Sequence, residues 1–406
     1  MNFRDYLRQL RLNEDEGIKI THLTHLEDLI FTNGIQGAQK TLDFLKTIYN
    51  DVNQHRSLLV QQKVDGAPSV IAGTNPENGK FFVATKSLFN KDPKINYTIE
   101  DIERNHGHAP GLAKKLKLAL KYFPKTIKNG ILQGDFMFDA DDLEYTTIDG
   151  IKGVGFQPNT IYFFVPKDTE LYNKIQSSKV GIIWHTVYSG NTISSLSASF
   201  SISNNHIKST ADAYVRTPMI QIDQAAWDSH ESKKILKDIS NLENDLSQIN
   251  KSYLEEILSN NELISLIQVY MNNKVKNDLR MQKNEIKELI DFIRVKYQEQ
   301  IDKLKTPSSK EKKLLNLKVI IEHLQKNAST LYHLFEWVYY VEDVKNVIIN
   351  KLNKLQFPES PYIKQNNGSF MVTDPEGFVV SDGPNNVKFV NRSIFSKQNF
   401  LNQKFK

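Results

Sequence analysis

Apolar residues change their spacing along the chain, and each change predicts a different kind of structure. Within residues 1–56, "FRDYLRQL" and "GAQKTLDFLKTIYNDV" repeat apolar positions every three or four residues, which predicts helices. From 57 to 215 the runs are "SLLVQQKV", "SVIAG", "FFVATKSLF", "ILQGDFMF", "TIYFFVP" and "VGIIWHTVY". They are short or alternating and are broken by Gly, Asn, Asp and Pro, as strands are. One helix, "GLAKKLKLALKYF", interrupts them. From about 224 to 356 the helical period returns, as in "NEIKELIDFIRVKYQEQIDKLK", with a break at "TPSSKEK" where Ser308 or Ser309 is placed to cap the next helix. The last fifty residues, with "GSFMVT", "EGFVVSD" and "NVKFVN", read as strands again. Strands on both sides of a helical block predict an α+β protein. Its β-rich domain (57–215 and 357–406) is completed after an α-helical insertion (216–356), and a helical segment (1–56) precedes it. No internal repeat is visible.

Composition narrows the class. A length of 406 residues suits two domains or one large domain with an insertion. A hydrophobic share of 39% supports a real core, and 24% charged residues is ordinary for a soluble protein. A net charge of +5 and a pI near 8.9 permit a polyanionic partner without requiring one. The absence of cysteine excludes disulfides, thiolate chemistry and cysteine-based zinc sites. The opening "MNFRDYLRQLRLNEDEG" is charged throughout, unlike a signal peptide. No apolar run approaches the roughly 20 residues of a membrane helix. The expectation is a cytoplasmic protein with no membrane partner.

One lysine stands out. Lys63 ends the apolar run "LLVQQKV" and is followed by Asp65 and Gly66. Burying its charge in a sheet is expensive, so it is either a surface lysine before an Asp-Gly turn or a group with a task. Lys63-Val64-Asp65-Gly66 matches K-x-D-G, and four further stretches follow in order. "FFVATKSLFN" carries Lys86 and Ser87, "GILQGDFMFD" carries Asp135, "DPEGFVVSD" carries Glu376-Gly377, and "NVKFVNRSIFSKQNF" carries Lys388.

Together these resemble the five motifs of the covalent nucleotidyltransferases: ATP-dependent DNA ligases, RNA ligases and mRNA capping enzymes. This resemblance covers roughly residues 57–190 and 368–400. A second resemblance spans nearly the whole chain. "THLEDLIFTNGIQGA", "KVDGAPSVIAG", "FFVATKSLFNKDPKINYT", "LQGDFMF" and "GIIWHTVYSG" look like an uncharacterised ligase-like family of large tailed phages, which implies a phage origin and a host cytoplasm. The first resemblance implies two antiparallel sheets of an adenylation domain with flanking helices and ATP held between them. Within the superfamily "VKFVNRSIFSK" is most similar to the RNA-ligase branch. No oligonucleotide-binding barrel is legible after the fifth motif, which also points away from DNA ligases and capping enzymes.

The resemblance assigns roles that chemistry can justify. A lysine amine near its usual pKa of about 10.4 is an inert cation and must lose a proton to attack phosphorus. Burial and the neighbouring cations Lys388 and Lys86 are expected to push the Lys63 pKa down. Lys388 also offsets charge on the α-phosphate. Asp135 and Glu376 are expected to hold Mg²⁺. Asp65 and Gly66 form the turn that aims Lys63, Asp65 reaches the ribose, and Gln62 reads the base edge. Phe163, Phe164 and Trp184 are rival candidates to stack on the base. The chain departs from the family at Asp135, where Glu is usual, and at Val390, where a second lysine is usual. Arg392 or Lys397 is placed to compensate for the missing charge.

Other constellations have plainer readings. His22 and His25 sit three apart, as a helix cap or surface pair. His106 and His108 in "NHGHAPG" belong to a polar loop, and "DADDLEY" at 139–145 is a solvated turn. Lys114, Lys115, Lys117 and Lys121 either face water or touch a nucleic-acid backbone. The aromatics of "STLYHLFEWVYYVEDV" pack in a helical core. The reading is a polynucleotide ligase that forms a lysyl-AMP at Lys63 and seals nucleic-acid ends, RNA ahead of nicked duplex. The helical insertion would hold nucleic acid or a protein partner. The alternatives are an adenylyltransferase acting on a protein or small molecule, and an inactive ligase-fold binding protein.

Overall fold

The computed structural model describes residues 24–54, 59–220, 227–277, 285–355, 357–382 and 385–392. They form an α+β architecture of three sheets and a large helical layer. The first sheet has the order β1-β15-β14-β2, built from Thr24–His25 (β1), Leu59–Gln62 (β2), Phe378–Asp382 (β14) and Asn385–Phe389 (β15). β1 runs parallel to β15, and the other pairs are antiparallel. The second sheet has the order β10-β9-β5-β3-β4, with β11 parallel to β9. Its strands are Ser69–Thr74 (β3), Phe81–Ala84 (β4), Ile131–Asp139 (β5), Val180–Ser189 (β9), Ser197–Ser199 (β10) and Ala213–Arg216 (β11). The third has the order β13-β12-β8-β7-β6 and is antiparallel throughout. It comprises Glu144–Ile148 (β6), Ile151–Phe156 (β7), Tyr162–Pro166 (β8), Ser360–Lys364 (β12) and Phe370–Val372 (β13).

Two antiparallel sheets were expected, and three are present with two parallel pairs. The extra sheet arises because β12 and β13, which follow the helical block, extend the β6–β8 meander, while β14 and β15 form a separate layer with β2.

The helices are Leu29–Gln54 (α1), Ile99–His106 (α2), Pro110–Tyr122 (α3), Glu170–Ser177 (α4), Ser229–Gln248 (α5), Lys251–Leu258 (α6), Asn261–Lys276 (α7), Glu285–Asp302 (α8), Pro307–Lys326 (α9) and Ala328–Leu352 (α10). The β-rich region thus carries α2 and α4 beside the expected α3. α5 opens on a capping box of Asp228 and Glu231. α9 opens on Thr306, whose hydroxyl accepts from the Ser309 N–H, with Pro307 at the first helical position. The cap is therefore Thr306, not Ser308 or Ser309, because Pro307 has no N–H to leave unsatisfied.

The helical block packs directly on the first sheet. Ile30, Leu45 and Ile48 of α1, Ile239 and Leu242 of α5, and Val341 and Ile348 of α10 share one core with Val60, Phe378, Val380 and Phe389 of the first sheet. The aromatics Phe335 and Trp337 lie in that core, as expected. Among the described residues no helix is long and apolar enough to cross a membrane.

A buried charge cluster pins this layer. The Lys345 ammonium on α10 donates to both Glu27 carboxylate oxygens, at 2.7 and 2.8 Å, and both side chains are inaccessible to water. Arg392 adds contacts to Asp28 at 2.9 Å, Glu27 at 3.4 Å and Asn272 at 2.7 Å. Burial opposes the Glu27 charge, but Lys345 and Arg392 outweigh it and hold the carboxyl below its usual range. Replacing one member strands the other charge in the interior. Lys345→Met is expected to cost roughly 3–5 kcal/mol in urea denaturation, while Glu27→Gln/Lys345→Met recovers part of that loss.

Candidate active site

The first two sheets face each other across a cleft of about 450 Å³ lined by Gln61, Lys63, Asp65, Lys86, Asp135 and Lys388, among others. Register explains part of the convergence. Val379 pairs with Gln61 on one side and Lys388 on the other, so these three side chains share a face of the first sheet. Ser69 pairs with Asp135 and Asp135 with Ile183, a row on the second sheet that faces the same space. The loop after β2 carries Lys63 between the two sheets. Its backbone N–H donates to the Gly377 carbonyl at 2.8 Å, which ties the lysine loop to the loop before β14.

Two glycines permit this closeness. A Cβ on Gly66 would lie 2.6 Å from the Phe136 carbonyl oxygen, and one on Gly377 would lie 2.4 Å from that of Phe389. Gly377 also has φ +144°, a conformation that side-chain-bearing residues rarely adopt.

The Lys63 ammonium donates to Glu376 Oε1 at 2.5 Å and lies 3.9 Å from Asp65. The expected depression of its pKa is overturned. Burial pushes it down, but the charges of Glu376, Asp65 and Asp135 outweigh burial, and the net shift is upward. The depressed lysine is Lys388, lowered by burial and by the charge of Lys63. Burial raises Glu376 above the usual carboxylate range despite the attraction of Lys63.

The remaining candidates divide. Gln62 is buried, its carbonyl oxygen accepting from Arg216 Nη2 at 3.2 Å. Arg216 is itself gripped by Glu359 at 3.0 and 2.7 Å. Asp65 accepts from Asn159 at 3.1 Å, and Lys86 is exposed at the cleft wall. Asp135 has His185 Nε2 at 3.7 Å. Glu376 is committed to Lys63, so in this state the Asp135–Glu376 metal pair has only one carboxylate without a cation on it. Among the described residues no three His, Asp or Glu side chains gather as a metal cluster.

Trp184 is corrected: it is fully buried and packs edge-on against Phe123, 5.2 Å between ring centres, on the face of the second sheet away from the cleft. Of the rival aromatics, Phe163 lines a crevice beside Lys63 with Asn159, Ile161, Pro375 and Glu376, whereas Phe164 packs on the opposite face with Ile148. Val390 lies in a core with Val64, Met137 and Phe163, so an apolar residue suits the place where the family carries a second lysine. Arg392 does not compensate, being spent on Glu27 and Asp28; Lys397 and His22 lie outside the described residues. His25 ends β1 beside Lys388 and stands at the cap position of the short 3-10 helix Leu26–Asp28, without a side-chain capping bond, and His106 ends α2 instead of lying in a loop.

The acidic turn and the basic helix neutralise each other. Lys114 meets Asp139 at 2.9 Å and Asp141 at 2.8 Å, Lys115 meets Asp142 at 2.8 Å, and Lys117 pairs with Glu103. The turn is solvated, as expected, and its carboxylates occupy Lys114 and Lys115 of the helix. Sequence reasoning missed Gln61, Asn159, His185 and Arg216. His185 had a signal, a His-Thr pair inside an apolar run. Arg216 had none, because its partner Glu359 is 143 positions away.

These features define an α+β protein with a lysine-centred, charged cleft between two sheets. The chain belongs to a family of unknown function, DUF6267, whose sequence model matches residues 19–404. No curated protein and no solved structure matches the chain.

Gly377→Ala is expected to loosen the contact between Gly377 and Lys63. A stability loss of about 1–3 kcal/mol by thermal or chemical denaturation is the expected size for overpacking of this kind.

Proposed function

We propose that the protein is an ATP-dependent covalent nucleotidyltransferase of the polynucleotide-ligase type, with adenylation domain 57–215 and 357–406. The observation that supports this best is the gathering of Lys63, Asp65, Lys86, Asp135 and Lys388 on one cleft, with Glu376 on the Lys63 ammonium. In the first step the Lys63 nitrogen lone pair attacks the α-phosphorus of ATP. A P–N bond forms, the bond from phosphorus to the bridging oxygen breaks, pyrophosphate leaves with that electron pair, and the nitrogen sheds its second proton to solvent. The resting lysine is protonated, so it must first give up a proton. Glu376, made more basic by burial and 2.5 Å away, is the acceptor. An arriving polyanion favours the charged form of Lys388, which then offsets charge developing on the α-phosphate.

In the second step an oxygen of a 5′-phosphate attacks the lysyl-AMP phosphorus, and Lys63 leaves and regains a proton. In the third a 3′-hydroxyl attacks that 5′-phosphate, and AMP departs. Phe163, buried against Phe156 and Val390, offers no open face to a base, whereas Gln62, oriented by Arg216, is placed to meet the base edge. The donor chemistry at Asp135 fits a magnesium ion, since Mg²⁺ takes one or two carboxylates beside water and phosphate. Bound there, it would supply positive charge to the phosphates. RNA ends are favoured over nicked DNA on the likeness to the RNA-ligase branch, and the phage-family likeness would place the enzyme in a host cytoplasm.

One observation favours a second reading. The basic helix that would hold a polynucleotide backbone is neutralised by carboxylates, which suits transfer of AMP to a protein or small molecule instead.

Incubation with α-labelled ATP and either Mg²⁺ or Mn²⁺ should label the wild-type chain through an acid-labile phosphoramidate and leave Lys63→Ala unlabelled. Absence of label, or label that survives in Lys63→Ala, overturns the proposal. Sealing of 5′-phosphorylated RNA separates the ligase from the second reading. Glu376→Gln is expected to slow adduct formation by about 10²–10⁴-fold. Because Lys63 hands its proton to Glu376 inside the site, the second-order rate of adduct formation should fall on the acid side as Glu376 protonates, at a pH above the usual carboxylate range, and level off from there to pH ~9. A wild-type rate that keeps rising through neutrality would show that Glu376 is not the acceptor.

A further inference from the structure

The cleft contains a built feature that the lysine chemistry does not use. β9 is bulged opposite β5: Gln133 pairs with Thr186 and Gly134 with Trp184, leaving His185 without a partner. A regular strand would send His185 and Thr186 to opposite faces. A bulge re-aims side chains, and here both line the cleft. His185 Nδ1 shares a hydrogen bond of 2.8 Å with the Thr186 hydroxyl. This ties down one edge of the ring and turns Nε2 toward Asp135 Oδ1, 3.7 Å away.

That gap is too long for a hydrogen bond, yet two metal–ligand bonds of about 2 Å span it. An imidazole with one nitrogen fixed by a hydrogen bond and the other left without one is how metal-binding histidines are oriented. The adjacent polar side chains of the cleft are already satisfied. Gln133 donates to Ser69 at 3.1 Å and accepts from Tyr188 at 2.6 Å, and Glu376 is on Lys63. Asp135 and His185 remain as a facing oxygen and nitrogen donor.

We infer that Asp135 and His185 form a divalent-metal site that takes Mn²⁺ in preference to Mg²⁺, with water and phosphate oxygens in the remaining positions. Imidazole suits transition ions, whereas Mg²⁺ prefers oxygen donors alone, and Mn²⁺ accepts both. The inference deepens the proposed reaction by naming the ion and its ligands. It rests on the cleft geometry, and its test needs no turnover.

Mn²⁺ binding to the full chain without nucleotide is measured by electron paramagnetic resonance, with Mg²⁺ as competitor. Paramagnetic broadening of labelled histidine rings is followed in parallel, His185 being assigned by its absence in His185→Asn. Wild type should bind Mn²⁺ and lose the His185 signal to broadening. His185→Asn and the isosteric Asp135→Asn should each weaken binding by about tenfold or more. Lys117→Ala, on a helix that does not line the cleft, should stay within about twofold, and Mg²⁺ should compete only at about tenfold or greater excess. The inference is overturned if both ligand variants bind Mn²⁺ like wild type, if Glu376→Gln abolishes binding, or if the His185 ring titrates as an ion pair with Asp135 and ignores Mn²⁺. Intact Mn²⁺ binding without a lysyl adduct retires the proposed reaction and keeps the metal site. An adduct without His185-dependent binding does the reverse.

Discussion

The cleft depends on a carboxylate that never meets water. Glu27 lies in the interior against the Lys345 ammonium, with the Arg392 guanidinium beside it. These residues come from the start of the described chain, the last long helix and the segment after the final strand. Burying one such charge unpaired would cost several kcal/mol, whereas a fully partnered cluster is tolerated and is demanding about geometry. The demand falls on the short sheet that carries Lys388, because β1 leads directly into Asp28 and β15 leads into Arg392. The helical layer is therefore part of the scaffold for the lysine cleft, sharing both its core and its buried charges.

The same economy of charge governs the cleft. Lys63, Lys86 and Lys388 face Asp65, Asp135 and Glu376, and the distribution is uneven. Glu376 holds Lys63 closely, burial and the first lysine depress the second, and Asp135 looks toward His185. This resting state holds Lys63 as an ammonium beside a carboxylate whose basicity burial has raised. Val390 extends the logic, since its place belongs to an apolar core where another lysine would add an unpaired buried charge.

Candidates that stand close together in the chain were legible. Lys63, Asp65 and Gly66 lie on one loop after β2, Glu376 precedes a glycine at a strand start, and Lys388 lies on a strand, so local pattern was enough to single them out as candidates. The tight fit around Gly66 and Gly377 gives those patterns a steric cause. Trp184 was misread because facing is set by the register of β9 and its bulge, which hydropathy does not display. Lys114, Lys115 and Lys117 resemble a phosphate-binding face until their carboxylate partners are brought alongside from other elements.

The sequence by itself determined the alternation of helical and strand texture, the α+β class, the lack of thiol chemistry and the order of the charged motifs. These follow from periodicity and composition, which act over a few residues. Only the tertiary structure decided that strands after the helical block divide between two sheets and that the helices share a core with one of them. It also decided that Lys63 rests above its usual pKa and that His185 joins Asp135. Those outcomes are sums over groups far apart in the chain, where burial, register and opposing charges compete, and no local window contains the competing partners.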